Sequence, residues 1–240
     1  MNNGELAVVM PVYNEEGAIH GVINKWTQEL LRLGIDFKIH AYNDGSRDNT
    51  LSILNRIANE NKNVMVHDKL NSGHGPTIIQ GYRENSDAEW IFQIDSDDEI
   101  GTESFESLWK NRERFEFLIG RRVRANQPLT RKLISSMSRI IVKILYGDKV
   151  YDVNSPYRLM KTKAFTKVFF SLPNGMFAPN VVIAGVVSLF HFNCYEIPVQ
   201  QRERVTGEVS IKKMKLLKAA LQSFQQTIAY RFKIKRDNLF

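Results

Sequence analysis

Between Leu6 and Gly120 the sequence alternates short apolar runs with longer amphipathic stretches, and that rhythm leaves few architectures open. LAVVMPVY (6–13), FKIHAYN (37–43), NVMVHD (63–68), WIFQID (90–95) and FEFLIG (115–120) read as strands. The intervening stretches 15–33, 46–61, 76–85 and 102–113 read as helices. Glu15 and Glu16 suit a helix N-terminus, and Ser46 is the expected N-cap of the second helix. Strands that alternate with helices predict an α/β protein with a mainly parallel, twisted sheet flanked by helices on both faces. Ligands of such sheets sit at the carboxyl ends of the strands. Tyr13–Glu15, Asn43–Ser46 and Asp95–Glu99 all fall there.

The second half of the chain follows a different rule. Residues 130–146 read as a helix with Leu133, Met137, Ile140 and Ile144 on one stripe and Arg131, Lys132, Arg139 and Lys143 off it. Two further strands are expected at 156–160 and 194–200. A long helix is expected from Ser210 to Phe232, with Ile211, Met214, Leu217, Leu221, Phe224 and Ile228 aligned and lysines beside them. With no repeat and no low-complexity linker, the expected organisation is one domain over 1–209 and a basic amphipathic helical extension over 210–240.

Charge follows the same division. The formal charge of +7 combines −9 over residues 1–120 with +16 over residues 121–240. A basic half points to an anionic partner: nucleic acid, an anionic membrane surface or a phosphorylated ligand. No RNA- or DNA-binding module is recognisable, and the basic residues lie on amphipathic helices, so nucleic acid is set aside. A single cysteine, Cys194, excludes an intramolecular disulfide framework and any multi-cysteine metal site. The first apolar run is interrupted by Pro11 and does not read as a signal peptide. The longest run, VVIAGVVSLF at 181–190, is half what a membrane-spanning helix needs. The expectation is a cytoplasmic protein that lies on a membrane without crossing it.

Three motifs carry chemistry. DSDDE at 95–99 crowds carboxylates whose repulsion a hard divalent cation would relieve. Because Mg²⁺ commonly takes one or two carboxylates plus substrate phosphates, a phosphate-bearing substrate is implied. NDGSRDNT at 43–50 turns sharply after Asp44, which leaves a carboxylate at the sheet edge. NSGHGP at 71–76 places Gly73 and Gly75 before a helix, where a phosphate approaches closely. It lacks the dinucleotide-binding spacing. The five histidines show no metal-ligand spacing, so His74 is expected to be structural and Cys194 to pack as a small apolar residue.

The joint order of MPVYNE (10–15), NDGS (43–46), NSGHG (71–75) and D-x-D (95–97) resembles the family 2 inverting glycosyltransferases with a GT-A nucleotide-diphospho-sugar transferase fold. GRR (120–122), DVNSPYR (152–158) and R-x-x-G (204–207) resemble the subgroup that contains dolichol-phosphate mannosyltransferase and bacterial polyprenyl-phosphate glycosyltransferases. The resemblance spans roughly residues 5–213. It implies that Pro11, Tyr13 and Glu15 hold the base and ribose of a nucleotide sugar, and that Asp44 reads the base. Gly73, Asp95 and Ser96 join that donor site, and Arg204 lies on a late loop that closes over it. It implies Mg²⁺ or Mn²⁺ on Asp95, Asp97 and Glu99, with Glu99 replacing a glutamine of the relatives. Asp97, Arg122 and Asp152 are the implied catalytic residues. The run after Gly207 departs from the relatives' pattern, which leaves Lys212 without a role.

The resemblance implies metal-dependent transfer of a hexose from a UDP- or GDP-sugar to a polyprenyl-phosphate or glycolipid acceptor. The enzyme would sit at an anionic membrane surface, with a homo-oligomer possible. A sugar hydroxyl acceptor needs a general base, whereas a lipid phosphate is already an oxyanion and needs only cations to position it. Residues 153–195 contain no Asp or Glu, which favours the phosphate acceptor and leaves Asp152 as the one candidate base. A sugar-to-sugar transferase of capsule, O-antigen or glycolipid synthesis is the alternative enzyme. A nucleotide-sugar-binding membrane protein without turnover is the non-enzyme alternative.

Overall fold

A computed structural model describes residues 4–124, 129–202 and 213–237. In chain order its elements are β1 (Leu6–Val12), α1 (Ile19–Arg32), β2 (Phe37–Asp44), α2 (Thr50–Glu60), β3 (Val64–Lys69), α3 (His74–Glu84), β4 (Trp90–Gln93), α4 (Phe105–Asn111) and β5 (Phe117–Arg124). The second half adds α5 (Leu129–Leu145), β6 (Arg158–Lys161), α6 (Thr162–Ser171), α7 (Pro179–Leu189), β7 (Cys194–Gln201) and α8 (Lys213–Asp237).

The strands form one sheet in the order β3-β2-β1-β4-β6-β5-β7. All neighbours pair in parallel except at β6, which runs antiparallel to both β4 and β5. The expected rhythm is therefore correct for four strands and then broken: β6, supplied from later in the chain, is inserted between β4 and β5. The order reverses at β1, whose chain continues to β2 on one side while β4 pairs on the other. A crevice opens at such a reversal.

Period-two alternation divides the core. Leu6, Val8, Met10 and Val12 of β1 face a cluster with α1, α2 and α4, while Ala7 and Val9 face the cluster built by α3, α5, α6, α7 and α8. On the first face Trp26 packs its ring 5.1 Å from Phe92 and edge-on to Phe105 at 5.5 Å, geometries worth about 0.5–1.5 kcal/mol per pair beyond area burial.

The structure corrects the sequence reading at identifiable places. The first helix begins at Ile19 rather than Glu15, because Asn14 turns through positive φ and residues 15–18 form a turn on the Glu15 carbonyl. Ser46 does not cap α2. Its hydroxyl accepts the Asn14 N–H at 3.0 Å, and Asp48 accepts the Thr50 N–H at 3.0 Å. Helices α6 and α7 were not expected. Residues 179–188 of α7 are all buried, so that helix has no polar face from which a periodicity can be read.

The apolar stripe expected on α5 is largely the exposed face. Met137, Ile140 and Ile144 are exposed, the last at 76%, whereas Ser138, Val142 and Tyr146 are buried. Among the described side chains of α8, Ala220, Ser223, Phe224, Thr227, Tyr230 and Ile234 are buried, and Leu221 and Ile228 of the expected stripe face outward with Phe232. Ile211, Met214 and Leu217 of that stripe lie outside the described side chains. The boundary expected at 209/210 lies outside the described residues.

Candidate active site

The carboxyl ends of β1, β2 and β4 open onto a cleft of about 580 Å³. It is lined by Pro11, Tyr13 and Glu15 after β1, by Asp44 at the end of β2, and by Asp95, Ser96 and Asp97 after β4. Gly73, His74, Arg122, Asn154 and the run from Phe177 to Asn180 complete the lining. Every described residue expected in a donor site is brought together here. Arg204 lies outside the described residues, as does the R-x-x-G motif.

The loops after β1 and β2 are stitched to each other. Asn14 Oδ1 accepts the Arg47 N–H at 2.8 Å, Glu16 accepts the Asn49 N–H at 2.9 Å, and the Glu15 N–H donates to Thr50 Oγ1 at 2.8 Å. The Ser96 hydroxyl is not turned to a ligand; it donates to the Pro11 carbonyl at 2.9 Å and ties β4 to β1. These bonds make a preformed wall of the residue types that the sequence marked.

Asp44 is caged. Its carboxylate accepts the Ser72 N–H at 2.8 Å and the Gly73 N–H at 2.9 Å, and it pairs with the Lys69 ammonium. Burial alone pushes this carboxyl up, but the Lys69 ammonium and the two N–H groups outweigh it and hold it below the usual carboxylate range. Gly73 has φ of 95°, which only glycine tolerates easily, and this aims its N–H at Asp44. Gly75 serves packing. A Cβ there would lie 2.3 Å from the Met176 and Phe177 carbonyl oxygens.

The acidic run 95–99 is sorted by its surroundings. Asp98 turns through positive φ and pairs with Lys25 on α1. Asp95 Oδ1 lies 3.0 Å from His74 Nε2, and Asp97 Oδ1 accepts the Glu99 N–H at 3.2 Å. Glu99 receives the Gln201 amide, and its carbonyl accepts the Arg202 N–H at 2.8 Å. Asp95 and Asp97 line both the main cleft and a recess of about 20 Å³ below it; Glu99 lines only the recess. Among the described residues no three His, Cys, Asp or Glu side chains form a ready metal cage. Two cleft-facing carboxylates nonetheless fit a hard cation that completes its shell with water and substrate phosphate.

His74, expected to be structural, stands in the site against Asp95. Its ring is half exposed, so the cleft desolvates it only in part, and Asp95, with Asp97 and Asp44 beyond, more than offsets that loss and raises its pKa. The only signal in the sequence was its position inside the NSGHG motif. Asn154 had only its place inside the DVNSPYR motif, and Phe177 gave no signal at all.

Arg122 sits on β5 and forms a two-pronged pair with Asp152, Nε to Oδ2 and Nη2 to Oδ1, each at 2.8 Å. The Arg122 N–H adds a third bond at 3.1 Å. Burial disfavours the cation, but Asp152 overrides it and raises the guanidinium pKa. Both oxygens of Asp152, the one candidate general base, are therefore committed to Arg122.

A second cavity, also about 580 Å³, adjoins the cleft and shares Arg122 and Asn154 with it. Its lining is mainly basic: Arg121, Arg139 and Lys143 beside Asp152, with Ser135, Ser136 and Tyr151. Arg139 and Lys143 also pair with Asp148. The Arg139 guanidinium stacks 3.6 Å from the centre of the Tyr151 ring. Ile140 of the exposed α5 stripe lies at its rim.

Comparison with known proteins bears on the fold and the family. In sequence the chain is 25% identical over 215 residues to undecaprenyl-phosphate 4-deoxy-4-formamido-L-arabinose transferase of Pseudomonas aeruginosa (strain LESB58), covering 88% of this chain and 62% of that protein. It is 26% identical over 217 residues to the Enterobacter sp. (strain 638) protein of the same name, covering 89% of this chain and 64% of that protein. The chain thus spans somewhat over three-fifths of these curated relatives. In structure it is similar to mannosyl-3-phosphoglycerate synthase from Rubrobacter xylanophilus, with a TM-score of 0.69 at 12% identity over 99% of this chain and 76% of that one. It is also similar to glucosyl-3-phosphoglycerate synthase from Mycobacterium tuberculosis, solved with Mn²⁺, UDP and glucosyl-3-phosphoglycerate, at a TM-score of 0.66 and 15% identity, covering 95% of this chain and 80% of that one. These likenesses confirm the expected GT-A fold. Residues 7–169, more than half of the chain, match the model of glycosyl transferase family 2, and the chain belongs to that family.

Proposed function

We propose that this chain is a metal-dependent, inverting glycosyltransferase that moves a sugar from a UDP- or GDP-sugar to polyprenyl phosphate at a membrane surface. The observation that carries the reading is the pair of adjoining cavities, one rich in carboxylates and the other mainly in cations, joined at Arg122 and Asn154. A donor diphosphate with its cation suits the first. A phosphate monoester of a long lipid suits the second, whose rim continues into exposed Ile140 and Ile144. The names of the curated relatives, undecaprenyl-phosphate transferases, support the acceptor class, and the Mn²⁺ and UDP of the M. tuberculosis neighbour support the cation and the nucleotide.

In this reading Pro11, Tyr13, Glu15, Asp44, Gly73 and Ser96 frame the nucleoside, and Arg204 is assigned to the donor as well. Asp95 and Asp97 would hold Mg²⁺ or Mn²⁺, with Glu99 below them. When bound, the cation neutralises charge on the departing diphosphate. Arg122, held in place by Asp152, stabilises charge at the junction of the two cavities without having to reorganise. The acceptor phosphate oxygen attacks the anomeric carbon from the face opposite the nucleotide. The glycosidic C–O electron pair leaves with the nucleoside diphosphate, and the configuration inverts. No proton has to be removed from the acceptor, which agrees with both Asp152 oxygens being occupied. The chain would dock on the cytoplasmic membrane face through α5 and α8. No described helix is long and apolar enough to span a membrane.

A donor screen with Mn²⁺ tests this, using undecaprenyl phosphate in one arm and a lipid-linked oligosaccharide in the other, with products identified by mass spectrometry. A glycosyl-phospholipid product only in the first arm is the expected result. A product only in the second arm would replace this reading with sugar-to-sugar transfer.

A further inference from the structure

One wall of the cleft is made by the segment between α6 and α7, where Phe177 and Ala178 reach the cavity. The carbonyls of Met176 and Phe177 lie directly over Gly75, the residue after His74, whose ring meets Asp95 in the same cleft. Within the segment the Met176 N–H donates to the Pro173 carbonyl at 3.1 Å, and Arg83 of α3 holds its start through the Leu172 carbonyl and Asn174 Oδ1. The Phe177 N–H itself is taken by helix α8, almost fifty residues further on: Gln226 Oε1 accepts the Phe177 N–H at 2.7 Å, and Gln226 Nε2 donates to the Gly175 carbonyl at 3.2 Å. One turn later Tyr230 bonds Ser171, and Lys233 donates to the Ser171 carbonyl at 2.9 Å. Thr227 takes the Tyr146 hydroxyl at 2.7 Å, which binds α8 to the end of α5. The opposite side of α8 presents Leu221, Ile228 and Phe232 outward.

We infer that Gln226 is a positioning residue for transfer, through which α8 sets the Phe177 wall of the donor cleft. The inference rests on the proposed function, since it takes the cleft to hold the nucleotide sugar. Gln226 touches no substrate; it acts through the backbone of Phe177. A glutamine suits the task because one side chain supplies both an acceptor and a donor and so fixes two peptide groups of the wall at once. The arrangement makes α8 part of the catalytic unit. Whatever holds its outer face also holds the wall.

Steady-state kinetics and nucleotide titration on the full chain test this. Gln226→Leu, which removes both bonds at similar volume, should lower kcat/KM for the donor about five- to tenfold, the loss expected from one to two hydrogen bonds. Gln226→Glu keeps the acceptor for Phe177 N–H and should recover most of that loss. In a Phe177→Ala background Gln226→Leu should cost less than twofold, because the ring that it positions is gone. Tyr230→Phe, on the same helix but bonded away from the cleft, should lower Tm and leave kcat/KM unchanged. If Gln226→Leu lowers Tm while its kcat/KM stays within twofold of wild type, or if its effect persists in the Phe177→Ala background, Gln226 is only structural. If the wild-type chain binds neither UDP nor GDP with Mn²⁺ and transfers no sugar, the reading of the cleft falls, and this inference falls with it.

Discussion

The two halves of this chain meet at one cleft, yet they were built by different rules. Residues 1–120 carry net negative charge and contribute regular strand–helix units whose carboxylates gather at strand ends. Residues 121–240 carry the positive charge, insert one antiparallel strand, and surround the cleft with irregular segments and helices with exposed apolar faces. The regular half works by placement. A parallel strand delivers its last residue to the same edge as its neighbours, so local sequence suffices to assemble Asp44, Asp95 and Asp97. The basic half works by long-range contact, and its function depends on which parts of the chain reach one another.

The largest effect expected from breaking this division is at Asp97. Asp97→Asn keeps the shape but removes charge from the cleft-facing pair. Loss of even an outer-shell partner of a metal costs about 10–100-fold, so transfer should fall by more than about 100-fold with Tm nearly unchanged. Near-normal turnover, or full activity in excess chelator, would remove the cation from the mechanism.

The next effect lies on the seam, at the Arg122–Asp152 pair. The two side chains are 12% and 15% exposed, and breaking a largely buried pair leaves one charge uncompensated. Asp152→Asn should therefore cost on the order of 3 kcal/mol of stability, read as a lowered urea midpoint, and reduce activity by misplacing Arg122. If the variant is as stable as wild type and inactive only with hydroxyl acceptors, Asp152 is a base and the phosphate-acceptor reading fails.

Legibility followed the same division. The positions of β1 to β4 and the residues at their ends were readable because strand periodicity, turn chemistry and the carboxyl-end rule are all local. Helix α7 was hidden because it is buried all round and has no polar phase. The stripes on α5 and α8 were found, but their orientation was not. Periodicity shows that Met137, Ile140 and Ile144 share a face and says nothing about what that face meets. Burial of Ser138 and Thr227 in their place depends on contacts among α5, α7 and α8. The cage around Asp44 and the approach of residues 176–177 to Gly75 were likewise invisible, because each joins segments far apart in sequence.

Opposite faces of α8 give a smaller and sharper test. Phe224 is buried whereas Leu221 is 54% exposed, so the same helix carries a core residue and a candidate lipid contact three residues apart. Phe224→Ser should cost about 2 kcal/mol of stability from lost burial, visible in thermal unfolding. Leu221→Ser combined with Ile144→Ser should leave Tm unchanged and weaken sedimentation with anionic liposomes. Basic residues near an anionic leaflet contribute about 1 kcal/mol each, so that binding should also fall in high salt. Binding that ignores both the substitutions and the salt would assign this face to a second copy of the chain or to another protein.

The smallest expected effect is a pH dependence at the far edge of the regular half. His40 on β2 is buried beside His67 on β3, with Nδ1 of the first 3.0 Å from Nε2 of the second. Burial pushes the His40 pKa down to about 3, and the neighbouring His67 and Lys38 push the same way against Asp87. The unfolded chain binds this proton near the ordinary histidine value of about 6.5. The group therefore destabilises nothing above that value and costs stability as pH falls from about 6.5 toward about 3, because the unfolded state takes up the proton first. One pH unit is worth about 1.4 kcal/mol when titration is complete, so stability should drop by about 1 kcal/mol between pH 7.5 and 5.5. His40→Phe, which cannot take up the proton, should flatten that slope in urea titrations at the two pH values, even if its absolute stability shifts. His67 beside His40 is also held below the ordinary histidine value by burial, so an equal slope in His40→Phe and wild type would take the acid sensitivity away from His40 and assign it to other groups, His67 first.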